Sequence, residues 1–101
     1  MKILLACACG MSTSMLAQKM NKKIEEREFA GAVEADTVDN IEKIIQNYDV
    51  ILLGPQVGYK KEEIQQIAKE YQIPVDVIDS MDYGKLDGVA VLDQAVELAN
   101  L

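Results

Sequence analysis

The sequence predicts an α/β fold, a three-layer sandwich in which helices cover both faces of a four-stranded parallel sheet of order 2-1-3-4. Three observations predict it. Short apolar runs alternate with helical periods throughout, with no repeat, low-complexity tract or long linker, the pattern of a chain that crosses over between parallel strands. The first and third runs, Ile3 to Ala6 and Val50 to Leu53, are wholly apolar, as strands covered on both faces are. The second and fourth each contain acid and the fourth follows Pro74, which a sheet edge tolerates. With right-handed crossovers the chain reverses between strands one and three, and ligands of such sheets bind beside that reversal at the carboxyl ends of the strands.

Each element has its own signal. After the first strand, Leu16, Met20 and Ile24 with Ala17 form the buried stripe of a helix running to about Arg27. Gly31 marks the return, and Val33-Glu34-Ala35-Asp36 alternates apolar with acidic as a half-exposed strand does. Val38, Ile41, Ile44 and Ile45 define the next helix, with Asp36 or Thr37 as its cap. Gly54-Pro55-Gln56-Val57-Gly58 leaves the third strand, and the face Ile64, Ile67, Ala68, Tyr71 leads through Pro74 to the fourth, Val75 to Ile78. Asp79 and Ser80 cap the turn that follows. A last helix is expected to bury Val89, Leu92, Ala95, Val96 and Ala99.

A chain of 101 residues, half of them apolar, fits one domain, residues 1–101, that buries a core without disulfides or a structural metal. The formal charge of -7 disfavours nucleic acid, which needs a concentrated positive surface. Charge is uneven: Lys19, Lys22, Lys23 and Arg27 make the first helix basic, a surface on which partners can dock, while residues 71–101 carry six acids against Lys85. A solvated surface explains the same pattern. MKILLACACG reads as a buried strand rather than a signal peptide, and no apolar run approaches the ~20 residues that span a bilayer. No membrane insertion is expected. Two cysteines one residue apart, with no export signal, point to a reducing cytoplasm. The absence of histidine removes Ser-His and Cys-His catalysis, histidine metal sites and a phosphohistidine on this chain; no metal and no cofactor are expected.

Chemistry concentrates in Cys7-Ala8-Cys9-Gly10-Met11-Ser12-Thr13-Ser14. Ala8, Cys9 and Gly10 are small enough for a tight curl, and Ser12, Thr13 and Ser14 place hydroxyls at a helix start. Free N–H groups of a first helical turn, aligned with the helix dipole, attract a phosphate-sized anion without a basic side chain. The same field favours the anionic, attacking form of a thiol at the mouth of the cradle. Cys7 ends the strand and opens the loop, which makes it the better nucleophile; Cys9, inside the curl, is the alternative. Burial of both as small hydrophobes at a strand end is the plain structural reading, and the hydroxyls serve equally as helix caps. The loop lacks the Gly-Lys-Ser/Thr of nucleotide P-loops, and Cys7-Ala8-Cys9 is not a Cys-x-x-Cys redox pair. The cysteine phosphatase pattern, Cys-x5-Arg-Ser/Thr, counts correctly from Cys7 but meets Thr13 at the arginine position. Without that arginine's fork, and without an Asp-Pro acid loop, hydrolysis should be slow. A cysteine-dependent phosphatase or arsenate reductase is the rival enzyme class, and an anion-holding module the rival outside catalysis.

Residues 7–14, Leu52-Leu53-Gly54-Pro55-Gln56-Val57, and Val77-Ile78-Asp79-Ser80 with Tyr83-Gly84-Lys85 and Asp87-Gly88 carry a resemblance over nearly the whole chain. It resembles the enzyme IIB component of the bacterial phosphoenolpyruvate-dependent sugar phosphotransferase system (PTS), lactose/cellobiose/chitobiose type. The resemblance implies a cytoplasmic phosphocysteine carrier with a sheet like that of the phosphatase-like P-loop fold and its phosphorylation site at Cys7. Such a carrier takes a phosphoryl group from phosphohistidine on a IIA component and gives it to a sugar, such as cellobiose, chitobiose or lactose, held by the membrane IIC component. Cys9 departs from the small residue common at its position. On this reading Ala8, Cys9, Gly10, Met11, Ser12, Thr13 and Ser14 surround the phosphate. Gln56 and Tyr83 approach its rim, unless Pro55-Gln56 only shapes a turn and Tyr83 only packs. Met11 and Met15 offer an adaptable apolar patch to partners, unless Met15 belongs to the core.

Overall fold

The computed structural model describes residues 1–8 and 11–100, with the backbone alone at Met11 and Ser12. Strand β1 (Lys2–Cys7) is followed by helix α1 (Met11–Glu26), β2 (Ala32–Thr37), α2 (Ile41–Ile44), β3 (Val50–Leu53), α3 (Lys61–Lys69), β4 (Val75–Val77), α4 (Ser80–Gly84) and α5 (Gly88–Ala99). The four strands form one parallel sheet in the expected order, β2-β1-β3-β4.

Period-two alternation along β1 divides the interior. Ile3 and Leu5 face one way with Val33, Val50 and Leu52, and pack against Leu16, Ala17, Met20 and Ile24 of α1 and Val91, Leu92 and Ala95 of α5. Leu4 and Ala6 face the other way with Ile51, Leu53 and Val75, against Ile41, Ile45 and, from α3, Ile64 and Ala68. Helices therefore cover both faces, and the central strands β1 and β3 are the ones without an acidic residue. Glu34 on β2 is exposed and Asp76 on β4 half-buried, which is why polarity alone places those strands at the edges.

Several boundaries differ from expectation, each for a local reason. The second helix is broken: α2 is a single α-helical turn between 3-10 turns at Val38–Asn40 and Ile45–Asn47. Ile44 sits at φ -119°, off the helical ladder, in a stretch whose β-branched and asparagine residues favour helix weakly. Only Ile41 and Ile45 of its four apolar positions are fully buried. Asp36, rather than Thr37, supplies the cap-like side chain, accepting from Thr37 N at 2.7 Å and Asn40 Nδ2 at 2.9 Å. A 3-10 turn, Pro55–Lys60, precedes α3.

Tyr71 lies beyond α3 and is exposed. The helix closes with Ile73 N donating to Ala68 O and Gln72 N to Lys69 O, while Gln72 takes φ 56°, the reversal of a Schellman motif, and this swings Tyr71 outward. Glu28 and Leu86, at φ 54° and 51°, close α1 and α4 in the same way.

The last helix keeps most of its expected face: Leu92 and Ala95 are buried, and Val96 and Ala99 pack against the core. Gly88, Val91, Leu92 and Ala95 point inward, and Val89 is only half-buried. The reason is Gly88 itself: a Cβ there would stand 3.1 Å from the Lys19 carbonyl carbon and 3.2 Å from Met20 N, so the missing side chain lets α5 begin against α1. Strand β4 ends at Val77, one residue early, although Ile78 N still donates to Leu53 O at 2.8 Å. The turn after Asp79 is a short helix, α4.

Candidate active site at the end of the first strand

Cys7 is the last residue of β1 and is 3% exposed. Its neighbour across the sheet is the turn after β3, where Gly54 N donates to Ala6 O at 2.8 Å. A Cβ at Gly54 would lie 3.3 Å from Cys7 Cβ, 3.6 Å from Ala6 O and 3.0 Å from Gln56 Oε1. Glycine is needed for that close approach and not for its backbone angles, since φ -59° and ψ 147° suit any residue. The Gln56 side chain thus folds back over Gly54, with its Oε1 against the same glycine that Cys7 Cβ adjoins.

From the other side comes the first turn of α1. The Thr13 side chain is 0% exposed, and its Oγ1 lies 3.1 Å from Cys7 Sγ. This contact brings the sulfur to the amino end of a 16-residue helix whose first turn carries no acidic residue. The sulfur therefore lies at the positive end of the helix dipole without a competing first-turn carboxylate. Ser14, beside Thr13, is exposed, as is Ala8. Cys9 and Gly10, and the side chains of Met11 and Ser12, lie outside the described residues.

The remaining sites expected from sequence are distributed as follows. Tyr83 is buried in the core on the α1 and α5 side. Asp79 caps α4, its Oδ1 accepting from Met81 N at 2.9 Å and Asp82 N at 3.2 Å. Met15 is exposed, and so are Tyr59 and Met81. These three lie on the connections that follow the carboxyl ends of β1, β3 and β4, whereas the fourth exposed large apolar side chain among the described residues, Tyr71, follows α3. The basic residues of α1 are partly engaged: Lys23 pairs with Glu26 and Arg27 with Asp93, both at 3.1 Å. Lys19, Lys22 and Lys23 line a groove of about 290 Å³ with Leu86 to Val89. Sequence reasoning missed Gly54 as a site residue, although a glycine placed directly after a fully apolar strand is the signal that marks it. No described helix is long and apolar enough to cross a membrane.

Residues 2–94 match the family model described as PTS system, Lactose/Cellobiose specific IIB subunit. The chain belongs to that IIB family. It is 40% identical over 97 residues to the oligo-beta-mannoside-specific EIIB component of Bacillus subtilis, covering 96% of this chain and 94% of that one. The lactose-specific EIICB component of Staphylococcus epidermidis is 32% identical over 90% of this chain, which spans 16% of that longer protein. In three dimensions the solution structure of a cellobiose-specific phosphotransferase IIB component from Borrelia burgdorferi superposes with a TM-score of 0.81 at 36% identity, covering 99% of this chain and 92% of that one. As a PTS IIB protein, the chain is a phosphotransferase component of sugar transport.

Proposed function

We propose that Cys7 is the phosphoryl acceptor of this IIB protein, and that residues 1–101 act as one cytoplasmic IIB unit between two partners. The donor is a phosphohistidine on a IIA component; with no histidine in the chain, the imidazole has to come from the partner. The recipient is a sugar held by the membrane IIC component, of the β-linked disaccharide class to which cellobiose, chitobiose and lactose belong. The observation that carries this reading is the buried Cys7 sulfur held at the amino end of α1 with no carboxylate in the first turn.

Transfer of this kind requires little covalent chemistry from the protein beyond the nucleophile. Nitrogen, phosphorus and sulfur must come into line, and fixed dipoles must stabilise the equatorial oxygens. The amides of residues 8–14 and the hydroxyls of the first turn supply those dipoles, and Gln56 stands at the rim. Thr13 occupies the position where cysteine phosphatases have arginine, so the loop passes a phosphoryl group on rather than releasing it to water. Incubation with phosphoenolpyruvate, the general phosphotransfer proteins and a IIA partner should label the protein stoichiometrically, and Cys7→Ser should take no label. Label surviving Cys7→Ser would refute the assignment, and brisk turnover of an aryl phosphate would favour a phosphatase.

A further inference from the structure

We propose that Thr13 is a positioning residue whose hydroxyl holds the Cys7 sulfur itself through both of its charge states. The inference rests on Cys7 being the phosphoryl acceptor and reassigns the Thr13 hydroxyl from the phosphate to the sulfur.

Tyrosines apart, Thr13 is the only hydroxyl-bearing or charged side chain that is buried among the described residues. Burying a hydroxyl is unfavourable unless it is hydrogen-bonded, and here the bond runs 3.1 Å to Cys7 Sγ inside the protein. A helix cap alone would not need this burial, as the exposed acceptor of Asp79 on α4 demonstrates. A hydroxyl is also the group suited to a sulfur that changes charge: it accepts from S–H and, by rotating, donates to a thiolate. The second arrangement is charge-assisted and the stronger of the two.

The two half-reactions each use it. In loading, the P–N bond to the partner's imidazole breaks as the S–P bond forms, and the thiol proton ends on the imidazole nitrogen. In unloading, the S–P bond breaks as a P–O bond forms to the sugar hydroxyl, whose proton ends on sulfur. Negative charge on sulfur is greatest in the thiolate, falls as the S–P bond forms in loading and returns as that bond breaks in unloading. A donor fixed on sulfur therefore stabilises the thiolate as the nucleophile of loading, relative to the thiol, and as the leaving group of unloading, without drawing on the phosphoryl oxygens.

Thr13→Val keeps the side chain's shape and removes the hydroxyl, whereas Thr13→Ser keeps the hydroxyl. Iodoacetamide alkylation of Cys7 in the full chain, measured across pH and located by tandem mass spectrometry, reads the sulfur directly. In Thr13→Val the pH profile should move to higher pH, with the rate on its rising limb lowered about tenfold, the scale of one hydrogen bond to a charged group. Thr13→Ser should follow the wild type. An unmoved profile in Thr13→Val, or an equal shift in Thr13→Ser, overturns the proposal. Alkylation needs no phosphoryl donor, so a shifted profile in a protein that takes no label would support the Thr13 contact while refuting the acceptor role of Cys7.

Discussion

Replacing Gly54 with alanine tests whether the turn after β3 sets the position of the sulfur. The added methyl group would meet three atoms, at 3.0 Å (Gln56 Oε1), 3.3 Å (Cys7 Cβ) and 3.6 Å (Ala6 O). Carbon pairs are most favourable at about 3.5–4.0 Å, so the approach to Cys7 Cβ is too close, and the Gln56 oxygen stands nearer still. Gln56 is exposed and its tip can swing away, whereas Cys7 is anchored in a buried strand and yields only by moving its backbone. Overpacking of this size costs about 1 kcal/mol, the low end of the usual range. Against it stands a gain of about 0.4–1 kcal/mol from restricting the unfolded chain, because the backbone angles at position 54 suit alanine. The two nearly cancel, and urea denaturation should place Gly54→Ala within about 1 kcal/mol of wild type. Phosphoryl loading should suffer far more: a sulfur displaced by a few tenths of an ångström, with Gln56 turned out, misaligns in-line transfer by roughly three- to tenfold in rate. The assay is the initial rate of label uptake from a phosphorylated IIA partner. Full loading speed at preserved stability would show that Gly54 does not govern the geometry at Cys7.

Two further outcomes follow from the fold. Gln72→Gly should stabilise the protein by about 1 kcal/mol, because residue 72 closes α3 at φ 56°, where a side chain is disfavoured; a lowered denaturation midpoint would contradict that closure. Tyr48 is pushed up to about 12, first by burial and then by the Glu34 carboxylate, to which its hydroxyl donates at 3.2 Å. The folded state thus favours the protonated phenol, and its contribution to stability is complete below about pH 10 and lost as pH rises toward 12. In an ultraviolet titration one of the four tyrosines should ionise last, and Tyr48→Phe should remove that late phase and flatten the alkaline fall in stability.

The sheet was legible in the sequence because burial and strand order leave the same trace. Val50-Ile51-Leu52-Leu53 is covered on both faces and contains nothing polar, whereas Glu34 and Asp76 each mark an edge. What escaped was set by contacts between elements distant in the chain. The face of α5 depends on Gly88 meeting Lys19, and a period of apolar residues records only that a helix has an inner side, not which small residue lets it approach. Tyr71 fits the stripe of α3 by spacing, yet the helix has already turned back through Gln72. At the candidate site, spacing singled out Cys7 and the hydroxyl cluster after it. That the Thr13 hydroxyl meets sulfur, and that Gly54 adjoins Cys7, depends on how two loops close over one strand end.

Strand β1 feeds alternate side chains into both halves of the interior, and the Cys7 sulfur sits at its tip. That atom inherits the stiffness of the whole sandwich. The side chains of Met15, Tyr59 and Met81, on the connections that follow β1, β3 and β4, are by contrast exposed. A sulfur held in this way stays in place while the exposed side chains around that end of the sheet can change rotamer.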